Sequence, residues 1–301
     1  MKLAALFSLA AIAVAQNISY SYDQAGRLSR VAYPDGKVLS YTYDASGSLL
    51  RRAVVTPATG PAPAATAAGV VNAASLKGNS VAPGEIIAIF GNGIGPAEIS
   101  LQRITAANFF DTLVGETTVT FDGIPAPVIY AFAGQTAVIV PYAVAGQSET
   151  RMVVTVRGLP SAPVTVPVVA AAPALFSANA TGTGNGAILN QDGTRNSAEN
   201  PAAPGSIVVL YGTGEGQTSP RGVDGKIALT SFPKPVLSAR VSIGGIDATS
   251  LIKYVGAAPT LVAGVFQMNV EIPAGMQAGN AEVIATFGTA QSQSGLTVAI
   301  R

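Results

Sequence analysis

The sequence lacks several residue types on which common protein chemistries depend. Its 301 residues contain no cysteine, no histidine and no tryptophan, and only 11% of them are charged. Without cysteine and histidine, disulfide bonds, thiolate or histidine-ligated metal sites, and Ser-His-Asp or Cys-His catalytic arrangements are excluded. Any remaining catalysis would need paired carboxylates or a Ser-Lys dyad. No motif in the sequence indicates a catalytic residue, a cofactor or a metal.

The positive and negative charges of the chain also nearly balance. It has 17 basic and 16 acidic residues, a formal net charge of +1. Nothing electrostatic therefore draws it to nucleic acid or to an anionic membrane, and we expect no nucleic-acid partner.

The first fifteen residues are typical of a secretory signal peptide. Lys2 precedes an apolar stretch over residues 3–13, and Ala13-Val14-Ala15 has the A-x-A pattern of a cleavage site. No second hydrophobic span follows, which predicts a mature chain without a membrane span. We expect cleavage after Ala15 and a secreted, periplasmic or cell-surface location.

Two stretches about 120 residues apart follow one template. Residues 83–95 and 204–216 each run from Pro-Gly through an apolar segment ending in an aromatic residue into alternating glycines. Three further pairs of blocks keep the same order, at 119–126 and 241–248, 135–141 and 267–273, and 153–156 and 283–286. The duplication predicts two copies of one domain.

The composition between these blocks favours strands. Short β-rich runs are separated by turns among the 33 Gly and 20 Pro, and no helix-length segment lies between them. We therefore predict an all-β chain with two tandem immunoglobulin-like antiparallel β-sandwiches, at 69–172 and 173–301.

Residues 69–75, 173–176, 186–194 and 203–211 resemble the uncharacterised C-terminal domain family named after Solibacter proteins. The resemblance covers about residues 69–301. It implies immunoglobulin-like or TIG-like sandwiches at the end of an exported bacterial protein, and it brings no established activity and no catalytic residues.

A smaller repeat lies before the sandwiches. Residues 20–28 recur at 41–49, 21 residues later. They resemble the YD-repeat (Rhs-type) pattern Tyr-x-Tyr-Asp-x-x-Gly-Arg-Leu, with Arg27 at the arginine and Ser48 in its place in the second copy. Family members wind many such hairpins into a shell, for which two units are too few.

We predict a YD-repeat hairpin segment over 16–53, either docked on the following domain, or a degenerate remnant, or pairing with YD units of another chain. Residues 54–68 are rich in Pro, Ala and Thr, which predicts a linker. The candidate binding residues are the tyrosines of the repeat, Tyr20, Tyr22, Tyr33, Tyr41 and Tyr43. They either pack hairpin on hairpin or offer an aromatic surface to a protein or glycan.

Two weaker motifs are better interpreted as turns. Gly91-x-Gly93-x-Gly95 resembles a dinucleotide fingerprint, but no helix or βαβ unit follows it, so we predict glycines that turn the chain at a strand end. Asn190-x-Asp192-Gly193 has two oxygen-bearing side chains but lacks the further acidic ligands of a calcium loop.

Two function classes follow. The first is an exported non-enzymatic surface, adhesion or structural binding protein, with a protein or glycan at the cell surface as its partner. The alternative is a carboxylate-based glycan-active enzyme, which needs an acidic pair converging in one cleft. The acidic residues, Glu85 and Glu215 among them, are dispersed singly along the sequence. We therefore expect that the protein is not an enzyme.

Overall fold

The computed structural model describes residues 18–23, 25–33, 37–44, 46–55, 60–78 and 80–301. The expected signal peptide, residues 1–15, lies outside the described residues. The chain divides into two compact units, Met1–Gly60 and Pro61–Arg301. Of the described residues, none form a helix long and apolar enough to cross a membrane.

The first unit is a four-stranded antiparallel meander. Its strands follow chain order across the sheet: β1 (Ser19–Tyr22), β2 (Leu28–Ala32), β3 (Val38–Tyr43) and β4 (Leu49–Val55). The two YD hairpins turn in the same way because each aspartate caps its own turn. Asp23 Oδ1 accepts hydrogen bonds from the amides of Ala25 and Arg27, and Asp44 Oδ1 accepts them from Ser46 and Ser48.

The first sandwich pairs two sheets over an apolar core. One sheet has the order β5-β6-β11-β10-β7, formed by β5 (Ala64–Asn72), β6 (Ile86–Asn92), β7 (Ser100–Leu101), β10 (Val128–Phe132) and β11 (Gln135–Ile139). The other has the order β13-β12-β8-β9, with β14 also on β12, formed by β8 (Thr117–Phe121), β9 (Ile124–Pro125), β12 (Glu149–Val156), β13 (Leu159–Pro160) and β14 (Val164–Pro167). In β8 alternate residues are buried, so Val119 and Phe121 enter the core between the sheets.

The second sandwich repeats this plan. One sheet has the order β15-β17-β23-β22, formed by β15 (Ala174–Leu175), β17 (Ile207–Thr213), β22 (Ile252–Ala257) and β23 (Phe266–Glu271). The other has the order β16-β26-β24-β20-β21, with β25 on β24, formed by β16 (Gly184–Asn185), β20 (Ala239–Ile243), β21 (Ile246–Asp247), β24 (Gly279–Phe287), β25 (Ala290–Gln291) and β26 (Leu296–Ile300). Phe266 and Phe287 meet edge to face in the core, with ring centroids 4.9 Å apart.

Three short elements complete the second unit. A two-stranded ribbon joins β18 (Thr218–Ser219) to β19 (Lys234–Pro235), and 3-10 turns occupy Tyr142–Val144 and Thr249–Leu251.

The sheet pairings confirm the predicted all-β, immunoglobulin-like tandem sandwiches. β6 pairs with β11 as β17 pairs with β23, and β8 pairs with β12 as β20 pairs with β24. Between the strands of the described residues, the pairings are antiparallel except for a short parallel one between β16 and β26, and two isolated bridges, Val81–Val168 and Ala202–Ile300, are also parallel.

β5 begins at Ala64, inside the stretch 54–68 for which the composition predicts a linker. Ala64 pairs with Asn92, and Ala65 pairs with Gly91. A Cβ on Gly91 would lie 2.3 Å from the Ala64 carbonyl oxygen, so the glycine permits this close pairing. At the other end, β4 continues to Val55, two residues past the predicted boundary at 53.

Candidate functional site

Four of the five predicted tyrosines lie on one face of the four-stranded sheet. Tyr20 pairs with Val31 and Val31 with Leu39, which places these three side chains on the same face. Tyr22 follows Tyr20 by two residues in β1, and Tyr41 and Tyr43 follow Leu39 by two and four residues in β3, so they share that face. Tyr33 lies one residue beyond the end of β2. Val31 and Leu39 are buried, at 5% and 6% exposure.

These tyrosines differ in how much of each ring is accessible. Tyr20 and Tyr22, both on the edge strand β1, are 57% and 62% exposed, whereas Tyr33, Tyr41 and Tyr43 are half-buried. The Tyr43 hydroxyl donates to the Leu28 carbonyl at 2.8 Å. Tyr43 therefore supports the sheet, and Tyr20 and Tyr22 are the rings open to a ligand.

Arg27 connects the two YD repeats. Its Nε is 2.7 Å from Asp23 Oδ2, its Nη1 donates to the Asp44 carbonyl at 3.0 Å, and its guanidinium lies 4.8 Å from the centroid of the Tyr43 ring. Hydrogen bonds from Arg27 lower the pKa of Asp23. Ser48 stands at the matching place before β4, the last strand of the sheet.

A second group of polar residues lies where the two sandwiches meet. Ile86 donates its amide to Thr213 Oγ1 at 2.8 Å, and Asn72 Nδ2 donates to the Ala172 carbonyl at 3.0 Å. Beside these bonds Glu85 and Glu215 are 0% and 2% exposed. The sequence offered no local signal for Glu85.

Both buried carboxyls hold their protons at neutral pH. Burial raises the pKa of Glu85 to about 8 and that of Glu215 to about 8, and the charge of Glu215 adds to the upward shift of Glu85. Glu85 Oε2 accepts the Ala82 amide at 2.7 Å. Glu85 Oε1 and Glu215 Oε2 have no hydrogen-bond partner among the described residues, which is costly for buried polar atoms.

The alternating glycines explain why Glu215 points inward. Gly214 and Gly216 have φ of +83°, and a Cβ on either would lie 2.0 Å from a carbonyl oxygen of the preceding segment, that of Ala172 or Ala170. Because this segment lies against the glycines, the side chains of the alternate residues Thr213 and Glu215 point the other way, and both are buried. No helix follows either glycine stretch in the described residues, and the predicted turn is also a place of close backbone approach.

Tyr142 fills the space between the sandwiches. Its ring is 3% exposed, and a Cβ on Gly84 or on Gly222 would come within 2.4 or 2.2 Å of it. Its amide donates to Asp224 Oδ1 at 2.8 Å. Burial raises the pKa of this hydroxyl well above its usual range.

The two buried glutamates line different cavities. Glu215 lines a cavity of about 160 Å³ together with Tyr142, Arg221 and Lys226. Glu85 lines an open groove of about 540 Å³ with Asn72, Lys77 and Gln293 among its other residues.

Phe109 and Phe110, in the irregular segment before β8, also contribute to the junction. Phe109 forms a β-bridge with Lys226, and the Phe110 amide donates to the Gly225 carbonyl at 2.8 Å. Both side chains are half-buried.

The turn interpretation of Asn190-x-Asp192-Gly193 agrees with its hydrogen bonds. Asp192 Oδ1 accepts from both the amide and the hydroxyl of Thr194, and Asn190 Oδ1 accepts from Asn196 Nδ2 at 3.0 Å. The oxygen atoms are thus used within the loop. Over the described ranges, no group of three or more acidic side chains could hold a metal ion.

Comparison with known proteins identifies one segment. No curated protein matches the chain. Among solved structures it is similar to the Bacteroides ovatus mixed-linkage glucan utilization locus SGBP-B in complex with a mixed-linkage heptasaccharide, at 12% identity and a TM-score of 0.32, covering 88% of this chain and 52% of that one. It is also similar to the BSP domain of a biofilm associated protein, at 9% identity and a TM-score of 0.23, covering 93% and 45%.

Domains 5–6 of the S-layer protein SbsC give 13% identity and a TM-score of 0.24, covering 79% and 98%. The chain spans about half the length of the first two of these structures. Residues 18–60 match the family described as RHS Repeat, which confirms the predicted YD-repeat segment.

Proposed function

We propose that this is an exported surface protein that binds a glycan without catalysing a reaction, and that the YD-repeat sheet is its binding element. The observation that carries the proposal is the pair of exposed rings of Tyr20 and Tyr22 on one face of an edge strand. Side chains two residues apart on a strand are about 7 Å apart. Each aromatic face can stack on the apolar face of a sugar ring, and each hydroxyl can hydrogen-bond to sugar hydroxyls.

The two sandwiches serve in this proposal as a body that presents the sheet. Their junction supports this role, because hydrogen bonds between side chains and backbone, together with the buried ring of Tyr142, join one sandwich to the other. We place the sandwiches at 69–172 and 173–301 in the Solibacter-type family that they resemble. Residues 1–15 would direct export and be removed after Ala15.

The buried acids favour this function over a carboxylate-based glycan-active enzyme. Such an enzyme needs two carboxyl groups on either side of one glycosidic bond, about 5 to 5.5 Å apart if it retains and about 6.5 to 9.5 Å apart if it inverts the anomeric configuration. Glu85 and Glu215 line separate cavities, and both are buried and protonated at neutral pH.

A glycan binding experiment with matched variants tests the proposal. The mature chain is applied to an array of bacterial and plant polysaccharides, and hits are measured by calorimetry. The double variant Tyr20→Ala/Tyr22→Ala should weaken binding about 5- to 150-fold, since stacking on each ring contributes about 0.5–1.5 kcal/mol. The control Ser19→Ala/Ser21→Ala changes the opposite face of the same strand and should bind as the unmodified protein does.

Two outcomes would contradict the proposal. In the first, the mature chain binds no glycan but binds a partner protein, and the tyrosine variant no longer binds that protein. The ligand of the sheet would then be a protein and not a glycan. Glycan binding that survives the tyrosine substitutions would remove the sheet as the binding element.

A further inference from the structure

We propose that the cavity beside Glu215 is a second binding site, for a small ring-sized carboxylate that also carries a hydroxyl group. The site is separate from the tyrosine face and does not rest on glycan binding. It lies within the second unit and combines three features: an apolar space, one unpartnered buried carboxyl group and cationic side chains at its border.

The volume and the apolar lining of the cavity determine the size and polarity of the central part of the ligand. Its volume is about 160 Å³, and an apolar cavity of about 150 Å³ is large enough to hold a benzene ring. The apolar side chains of Val223, Ile227, Ala228 and Ala263 line it beside the ring of Tyr142. A six-membered ring therefore matches the space in volume and polarity.

Glu215 sets the polar group at the inner end of the ligand. It is almost fully buried, lines the cavity, and its Oε2 has no partner among the described residues. A protonated carboxyl offers one donor and one acceptor. A ligand hydroxyl can both donate and accept, so it would pair with this carboxyl group where Glu215 lines the cavity.

Arg221 and Lys226 set the charge at the other end. Both line the cavity, and both are exposed residues. Arg221 Nη2 also donates to the Tyr142 carbonyl at 3.4 Å, which holds it beside the cavity, and its charge reaches Asp224. Two cations beside an apolar space favour a ligand whose outer end is a carboxylate.

Three probes separate these features: 4-hydroxybenzoate, benzoate and phenol. Binding to the full chain at neutral pH is followed by ligand-observed NMR and by calorimetry. We expect 4-hydroxybenzoate to bind about tenfold more tightly than either of the others, because each of those lacks one polar group.

Variants assign each contact. Glu215→Leu should remove the preference for 4-hydroxybenzoate over benzoate, and Glu215→Gln should retain it because the amide still donates and accepts. Lys226→Ala combined with Arg221→Ala should weaken both carboxylates about tenfold and leave phenol unchanged. Arg195→Ala, an exposed arginine elsewhere on the second sandwich, is the control and should change nothing.

Ala228→Leu fills the cavity without altering any charge and should abolish binding of all three probes. It also decides the question if the Glu215 variants do not fold. The proposal is overturned if no probe binds at millimolar concentration, if binding survives Ala228→Leu, or if the charge variants bind the carboxylates as well as the unmodified protein.

Discussion

The two buried carboxyls predict that the folded state loses stability as the pH rises towards 8. In an unfolded chain a glutamate has a pKa near 4.5, whereas Glu85 and Glu215 titrate at about 8 in the fold. Between these values the folded state keeps protons that the unfolded state releases. The stabilisation is complete below about pH 4.5, decreases through the interval, and is lost once the pH passes about 8.

The magnitude follows from the same values. Each carboxyl should lower the unfolding free energy by about 1.4 kcal/mol per pH unit inside the interval, and by about 5 kcal/mol across all of it. Both groups together double that slope. The 301 residues contain no histidine, so no histidine titration competes in this range.

Urea unfolding at several pH values between about 5 and 8, followed by circular dichroism, measures the slope directly. Glu215→Gln should halve it and raise stability at pH 8, and the double variant with Glu85→Gln should abolish it. The exposed Glu98→Gln should leave it unchanged. A stability that is flat over this range, or a slope that persists in the double variant, would refute the burial argument.

Three further substitutions test contacts elsewhere in the fold. Gly214→Ala should lower the free energy of unfolding by more than about 3 kcal/mol, measured in urea, because its Cβ would strike the Ala172 carbonyl. Gly205→Ala is also at positive φ but has open space around it, and should lower that free energy by about 1 kcal/mol. Equal losses would contradict the packing argument. Tyr142→Ala should cost about 3–5 kcal/mol because the ring separates two glycine backbones, and Tyr142→Phe about 1 kcal/mol; a mild alanine variant would show that the junction closes without the ring. Arg27→Ala should speed amide exchange in residues 18–55 roughly fivefold and leave 61–301 unchanged, and equal rates would mean that Arg27 does not hold the repeats together.

The sheet pairing of the sandwiches was predictable because the same sequence blocks occur in both copies. Val119 and Val241 occupy matching blocks, and both lie in strands that pair with the next matching block. The start of β5 was not predictable in the same way. Residues 64–68 have the composition of a linker, and they pair as a strand because a distant residue, Gly91, leaves room for them.

The candidate sites show the same limit. Tyr20 and Tyr22 are two residues apart in one strand, and strand geometry alone puts such a pair on one face. Which tyrosines are accessible depends on the position of each strand in the sheet and on the bond from Tyr43 to Leu28, neither of which is local. Glu85 and Glu215 resembled ordinary surface acids, because their burial comes from the contact between the two sandwiches.

Comparison of the two copies shows why these acids need an explanation beyond the sandwich fold. In the shared template Glu215 corresponds to Ile94, which is fully buried in the first core, and Glu85 corresponds to Ser206. Ser206 and Glu85 both bond to the alanine three residues before them, so the turn forms with either residue.

The sandwich therefore folds with an apolar residue at one position and a small hydroxyl at the other, without burying a carboxyl group that lacks a hydrogen-bond partner. Each acid occurs only in the copy where its position faces the junction, and there each leaves a buried oxygen unpaired. A costly group that the fold itself does not require is best explained by a ligand or partner that pairs with it. By this reasoning Glu215→Ile should fold, gain stability at neutral pH, and lose the preference for hydroxylated ligands in the cavity.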